Sequence, residues 1–148
     1  MVLLELFNFL HFLGLAYGLG GATLAAIISR KADRDVDLGK QVMKIIPSIS
    51  KLIWVGLILL IVSGIGISFL VQWPINKNLL IIKHILVFWI VIFGVVISMR
   101  VKKMEKLAPL NSKGKISLEF LKIRKQLKFF SMINLILWYL VVLLSVFV

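Results

Sequence analysis

The chain contains no cysteine, 3 proline and 2 histidine residues among its 148, and only 6 acidic residues against 18 lysine and arginine. The missing cysteine excludes disulfides, thiolate-held metal centres and covalent attachment of a c-type haem. The shortage of proline leaves long stretches free to run as uninterrupted helix. The shortage of acids gives a formal net charge of +12, a balance that suits nucleic acid until the placement of the charges is considered. What is abundant is apolar surface: 61% of the residues are hydrophobic and the mean hydropathy is +1.06, whereas soluble globular chains average about 45–50% apolar. A water-soluble globular domain is thereby excluded, and lipid is the expected solvent.

A helix crossing about 30 Å of hydrocarbon needs roughly 20 apolar residues at 1.5 Å rise each. Four runs meet that length: Leu6 to Ser29, Leu52 to Gln72 ahead of a Trp73-Pro74 turn, Leu79 to Met99, and Phe129 to Val148. Lys83 and His84 interrupt the start of the third, where a lysine can snorkel to the interface. With interfacial turns included, the expected spans are 4–29, 52–72, 79–100 and 127–148, with basic loops at 30–51 and 101–126. The stretch Met1 to Leu10 has no basic n-region, so the first run is expected to be a retained span and not a cleaved signal. In the first basic loop, Ala32 to Ser50 reads as a helical extension or interfacial helix that Pro47 should end or bend. The run Pro109 to Lys115 is the one turn-rich stretch of any length, after which Ser117 can cap the fourth helix, so a charged helical hairpin of a few turns is expected to extend into the cytoplasm.

The charges then sort by side. Six basic residues lie between Arg30 and Lys51 and ten between Arg100 and Lys128, leaving only Lys77 and Lys83 for the opposite face. Lysine and arginine concentrate in cytoplasmic loops, which places both termini outside and assigns the positive charge to topology, not to nucleic acid. The expected fold is all-α: a single-domain, integral membrane four-helix bundle in up-down-up-down order, in the cytoplasmic (inner) membrane, with the bilayer as its main partner and oligomers open.

Inside such a bundle, Gly14, Gly18, Ala22, Ala25 and Ser29 fall within about 60° of the direction of His11 and form a small-residue stripe. Gly56, Ser63, Gly64 and Gly66 give the second helix a close-packing surface of its own. On the third, His84 shares its direction with Val91, Val95 and Ser98, so both histidines are expected to face inward. His11 lies about 9 Å and His84 about 8–10 Å from the outer ends of parallel helices, at a common depth. Two imidazoles across a bundle diagonal of roughly 12–14 Å suit the two axial positions of one haem. A structural or proton-relay role and another metal remain open for the pair; Gly14 and Gly18 are candidates to let the haem plane lie against the first helix, and helix packing alone would select them equally. Asn8, within about 60° of the His11 direction, and Glu5 are candidates to contact a haem propionate, orient an imidazole or pass a proton, Glu5 reading also as an interfacial acid paired with Lys83; Lys83 is a candidate for a haem propionate or an acidic substrate group, and Tyr17, Asn134, Trp138 and Tyr139 are weaker candidates.

The run Phe9-Leu10-His11-Phe12-Leu13-Gly14 through Gly20-Gly21-Ala22 resembles the first helix of small bacterial membrane proteins related to copper-resistance protein D and HemJ-type protoporphyrinogen oxidase. Lys83-His84-Ile85-Leu86-Val87, with Gly94 and Arg100 downstream, resembles their lysine-containing third helix. The resemblance implies a four-helix core able to hold haem b, with His11 as ligand, and in the HemJ group oxidation of protoporphyrinogen to protoporphyrin. It implies copper uptake in the other group, but Met43, Met99, Met104 and Met132 lie on the cytoplasmic side, away from His11, and Cu(I) prefers methionine and cysteine. In outline the chain also resembles four-helix membrane cytochromes b and superoxide oxidases, which use two histidine pairs where this chain has one. The expectation is therefore a membrane b-type cytochrome with one haem per chain, its iron held by His11 and His84. It would exchange electrons with a quinone or an outer-face partner. The alternatives are a HemJ-like oxidase or a cofactor-free transporter or assembly subunit.

Overall fold

A computed structural model describes residues 2–32, 36–71, 77–111 and 118–147. All four expected spans are helices: α1 Val2–Ala32, α2 Val36–Leu70, α3 Lys77–Asn111 and α4 Leu118–Ser145. Each contains a stretch long and apolar enough to cross a membrane, and only 6% of the most apolar stretch of α3, and 17% of those of the other three, is buried within the protein. Large side chains accordingly stand outward, with Phe12 72%, Ile58 57% and Phe88 62% exposed. That much outward hydrocarbon is stable only against lipid. Hydroxyls within the helices return to their own backbone, as lipid requires: Thr23 Oγ1 donates to the Leu19 carbonyl at 2.8 Å, Ser68 Oγ to Gly64 at 2.8 Å and Ser145 Oγ to Val141 at 2.7 Å.

The helices reach further than the apolar runs. α2 begins at Val36 and continues through Pro47, so the proline does not end it. α3 continues through Pro109 to Asn111, which makes helix of the first part of the expected turn. The Trp73-Pro74 turn, the remainder of the 109–115 stretch and Ser117 lie outside the described residues. The reason for the extension is a buried seam that ignores the boundary between apolar and charged sequence. On α2 the buried positions Val42, Ile49, Gly56 and Ser63 repeat every seven residues, while Lys44 and Lys51 point outward. A heptad seam gives a helix a packed face at every second turn whatever covers its outer side.

The chain divides after Leu80 into two compact units. In the first, α1 and α2 run antiparallel in a constant register: Gly14 meets Leu60, Gly18 meets Gly56 and Gly21 meets Ile53. The backbones nearly touch, since a methyl built on Gly56 would stand 2.3 Å from Gly18 N and 2.8 Å from the Gly14 carbonyl oxygen. Only glycine allows that approach. The expected small-residue stripe on α1 holds at Gly14 and Gly18 and then departs. The buried line passes through Gly21 and Ala32, and Ser29 is exposed. A seven-residue repeat drifts against a fixed 100° per residue, and the seam follows the repeat. The close-packing surface expected on α2 is Gly56, Ser63, Gly64 and Gly66, and the helix it meets is α1.

In the second unit α3 and α4 are also antiparallel. Phe93 packs on Phe130 with centroids 5.9 Å apart, and one end of the row is continued by Trp89 at 5.8 Å from Phe93. Farther along, Lys103 Nζ and Glu119 Oε1 pair at 2.7 Å on the exposed surface. Val101 and Met104 on α3 and Phe120 and Ile123 on α4 are buried, so the apolar seam continues into the lysine-rich part of the hairpin.

Candidate functional site

His11 is placed by the glycine seam. One turn beyond Gly14 and two beyond Gly18, it meets α2 where the helices have been drawn together, and its Nδ1 lies 3.0 Å from Ser63 Oγ. Ser63 is fully buried, 0% exposed. Its hydroxyl proton is directed to its own helix, to the Leu59 carbonyl at 2.6 Å with Leu60 at 3.2 Å. The oxygen is thus left as acceptor, and Nδ1–H of His11 is the donor. In the neutral ring this fixes the tautomer and makes Nε2 the nitrogen with the lone pair. Gly64 completes the setting: a Cβ there would come within 4.0 Å of His11 Cε1. An imidazole oriented by a buried acceptor on its far nitrogen can hold a metal ion or accept a proton at Nε2.

The other expected site residues are distributed differently. Gly14 and Gly18 are buried in the α1–α2 seam, where their contacts with Gly56 and Leu60 account for them as packing residues. Asn8 and Glu5 are exposed. On α3, Lys83 is half-buried, whereas His84 is exposed, with Ile81, Ile82 and Ile85 exposed around it. Of the three residues said to share the direction of His84, Val91 and Ser98 are half-buried and Val95 is 44% exposed, and the buried positions of α3 within its own unit are Ile90, Val101 and Met104. On α4, Asn134 and Trp138 are buried one turn apart, and neither Asn134 Oδ1 nor Trp138 Nε1 has a hydrogen-bond partner among the described residues. Tyr139 is 50% exposed.

The partnership of His11 with Ser63 was not anticipated from the sequence, which showed Ser63 only as a small packing residue. The signal was available in the register, because His11 lies seven residues before Gly18 and Ser63 seven residues after Gly56, which pairs them in the same antiparallel register. Among the described residues no group of three or more histidine, cysteine, aspartate or glutamate side chains could hold a metal ion. A haem iron needs only axial protein ligands, because the macrocycle supplies four nitrogens. The donor set around His11 is compatible with that demand and with no larger one.

Fold and site together define a helical, multi-pass membrane protein carrying an oriented intramembrane histidine. Comparison of the chain with protein-family models, with curated proteins and with solved structures gives no match.

Proposed function

We propose that this protein is a membrane b-type haem protein that transfers single electrons, with His11 as an axial ligand through Nε2. The observation that carries the reading is the hydrogen bond from His11 Nδ1–H to Ser63 Oγ. Histidines that ligate metals almost always give their other N–H to such an acceptor, which holds the ring plane and raises the basicity of the ligating nitrogen. Intramembrane ionisable residues are costly and mark function by default. When bound, haem supplies the one-electron chemistry. The chain's own work is to orient the imidazole, to exclude water with the glycine seam and to fix which nitrogen carries the proton. A quinone in the bilayer or a protein at the outer face is the proposed electron partner, and kinship with the copper-resistance D and HemJ groups rests on the residues around His11 and Lys83.

The remaining topology belongs to the same proposal: up-down-up-down order in the cytoplasmic membrane, basic loops inside and both termini outside, as the placement of lysine and arginine demands. The experiment is a dithionite-reduced minus oxidised spectrum, with a pyridine haemochrome assay, on protein purified from haem-replete cells. Sharp α and β bands that vanish in His11→Ala while the variant still inserts support the reading. A parallel His84→Ala variant determines whether the same chain supplies the second ligand. A colourless preparation, or an unchanged spectrum in His11→Ala, refutes it and leaves His11 as a structural or proton-relaying residue.

A further inference from the structure

Four glycines of the first unit are accounted for by close approach. Gly14 and Gly56 meet backbone, Gly21 meets Ile53 and Gly66 meets the Phe7 ring, and in each case an added Cβ would come to 2.9 Å or closer. Gly64 is different. Among the described residues a Cβ there would meet one atom within 4 Å, His11 Cε1 at 4.0 Å. That is an ordinary contact, so α1 and α2 would approach as closely with alanine at this position. Glycine also weakens a helix relative to alanine, so packing gives no reason for glycine at position 64. Gly20 shares that freedom, with nothing within 4 Å of its Cβ, and differs in bordering no side chain of the site.

The place of Gly64 on α2 determines what the empty space adjoins. Ser63, the residue before it, is fully buried in the seam, whereas Ile61 and Ile65 are exposed. Ser68, one turn on, is exposed as well, its hydroxyl folded back on the Gly64 carbonyl at 2.8 Å. Gly64 is therefore the rim between the seam and the outward apolar surface of a helix able to cross the membrane. His11 reaches over that rim, with Nδ1 anchored on Ser63 in the seam at 3.0 Å and Cε1 beside Gly64. Cε1 is the ring atom between Nδ1 and Nε2, so the imidazole edge that leads to Nε2 borders the gap left by the absent side chain. His11 and Gly64 are both half-buried and both keep accessible surface, so the gap is reached from outside the protein, on the side that faces hydrocarbon.

We propose that Gly64 is a lateral opening through which a broad, flat, apolar ligand reaches His11 from the bilayer, and that position 64 limits the size of what is admitted. The proposal rests on the haem reading of His11 and supplies the route and the size limit of that site. A tetrapyrrole partitions into lipid and, held at Nε2, spreads sideways past Cε1, where a side chain longer than a methyl at position 64 would stand in its way. A lone metal ion has no such breadth and does not need the gap.

The test compares Gly64→Ala, Gly64→Leu and the control Gly20→Leu in the full chain from haem-replete cells. Three quantities are read: haem per chain by pyridine haemochrome, stability by titration into dodecyl sulfate, and carbethoxylation of His11 in haem-free protein by diethyl pyrocarbonate, located by peptide mass spectrometry. Gly64→Leu should lower haem content and slow carbethoxylation of His11 by about tenfold, the size of an ordinary overpacking penalty, while unfolding no earlier than Gly20→Leu. Gly64→Ala, whose methyl stays 4.0 Å from the ring, and Gly20→Leu should both keep the wild-type haem content. Full haem in Gly64→Leu overturns the proposal, as does an equal loss in Gly20→Leu, which would show a general effect of added bulk. If Gly64→Leu fails to insert, Gly64→Val decides by the same readings. Wild-type protein without haem refutes the proposed function, and the carbethoxylation rates then decide the opening by themselves: slower in Gly64→Leu upholds it, and a rate equal to wild type overturns it.

Discussion

Replacing Gly56 by alanine should separate α1 from α2. The added methyl would lie 2.3 Å from Gly18 N and 2.8 Å from both the Gly14 carbonyl oxygen and Gly18 Cα, where ordinary contacts begin at 3.4 Å. The helices must therefore part by about 1 Å, and since every clashing atom is backbone, no rotamer change relieves the strain. Overpacking of this kind costs about 1–3 kcal/mol, and a site with no soft neighbour belongs at the upper end. Against it stands the roughly 1 kcal/mol that alanine gains over glycine in a helix. The net loss should be about 2 kcal/mol, a factor of about 30 in the unfolding equilibrium. Gly20 is the internal control, because nothing lies within 4 Å of a Cβ there, so Gly20→Ala should be neutral or mildly stabilising. Titration of both variants from mild detergent into dodecyl sulfate, followed by circular dichroism, measures the difference. If Gly56→Ala proves as stable as Gly20→Ala, the two helices are not held backbone to backbone and the register built on Gly14, Gly18 and Gly21 is wrong.

Three further expectations follow from the same hairpin and from the charge placement. Ser63→Ala removes the acceptor of His11 Nδ1–H and should lower stability by about 1–2 kcal/mol in the same titration, since a buried donor loses its partner; no loss would show that the bond does not hold the ring. Gly66→Ala brings a methyl within 2.6 Å of the Phe7 ring, but a side chain can swing away. Its cost should stay well below that of Gly56→Ala and be relieved in the Phe7→Ala background, as a double-mutant cycle would show. Finally, because the sequence has no cysteine, single reporters are free of background. Val2→Cys and Phe147→Cys should react with an impermeant maleimide on intact cells and Lys106→Cys only after permeabilisation, the opposite pattern refuting the proposed orientation.

The four helices were legible because hydrocarbon thickness sets a length that few other structures need, and the runs ending at Ser29, Gln72 and Met99 meet it. Helix beyond the runs was legible as well, over Ala32 to Ser50 and from Ser117 onward, but the seam beneath it was not: Val42, Ile49, Met104, Phe120 and Ile123 stay buried under the lysines, and that shows only as a seven-residue repeat spanning two kinds of sequence. Gly14 and Gly18 fitted a haem plane and helix packing alike from the sequence, and their backbone contacts with α2 account for the packing; His11 stood out as a residue to explain. Its partner was missed because Ser63 says nothing until the hairpin register is known. For His84, sharing a direction with Val91, Val95 and Ser98 identifies a face, but on a helix that is apolar all round it does not identify the one that meets the other helices.

The glycine seam between α1 and α2 also bears on assembly. Bringing ordinary side chains together requires each to surrender rotational freedom, a loss that glycine does not incur because it has no rotamers to freeze. The contact between Gly14, Gly18 and Gly56 therefore forms without a search over side-chain states as soon as both helices are in the bilayer, a point reached during synthesis once Leu70 has emerged. α1 and α2 can then join while α3 is still being made, so the oriented imidazole of His11 would be an early product of biogenesis, in place before α3 and α4 have packed.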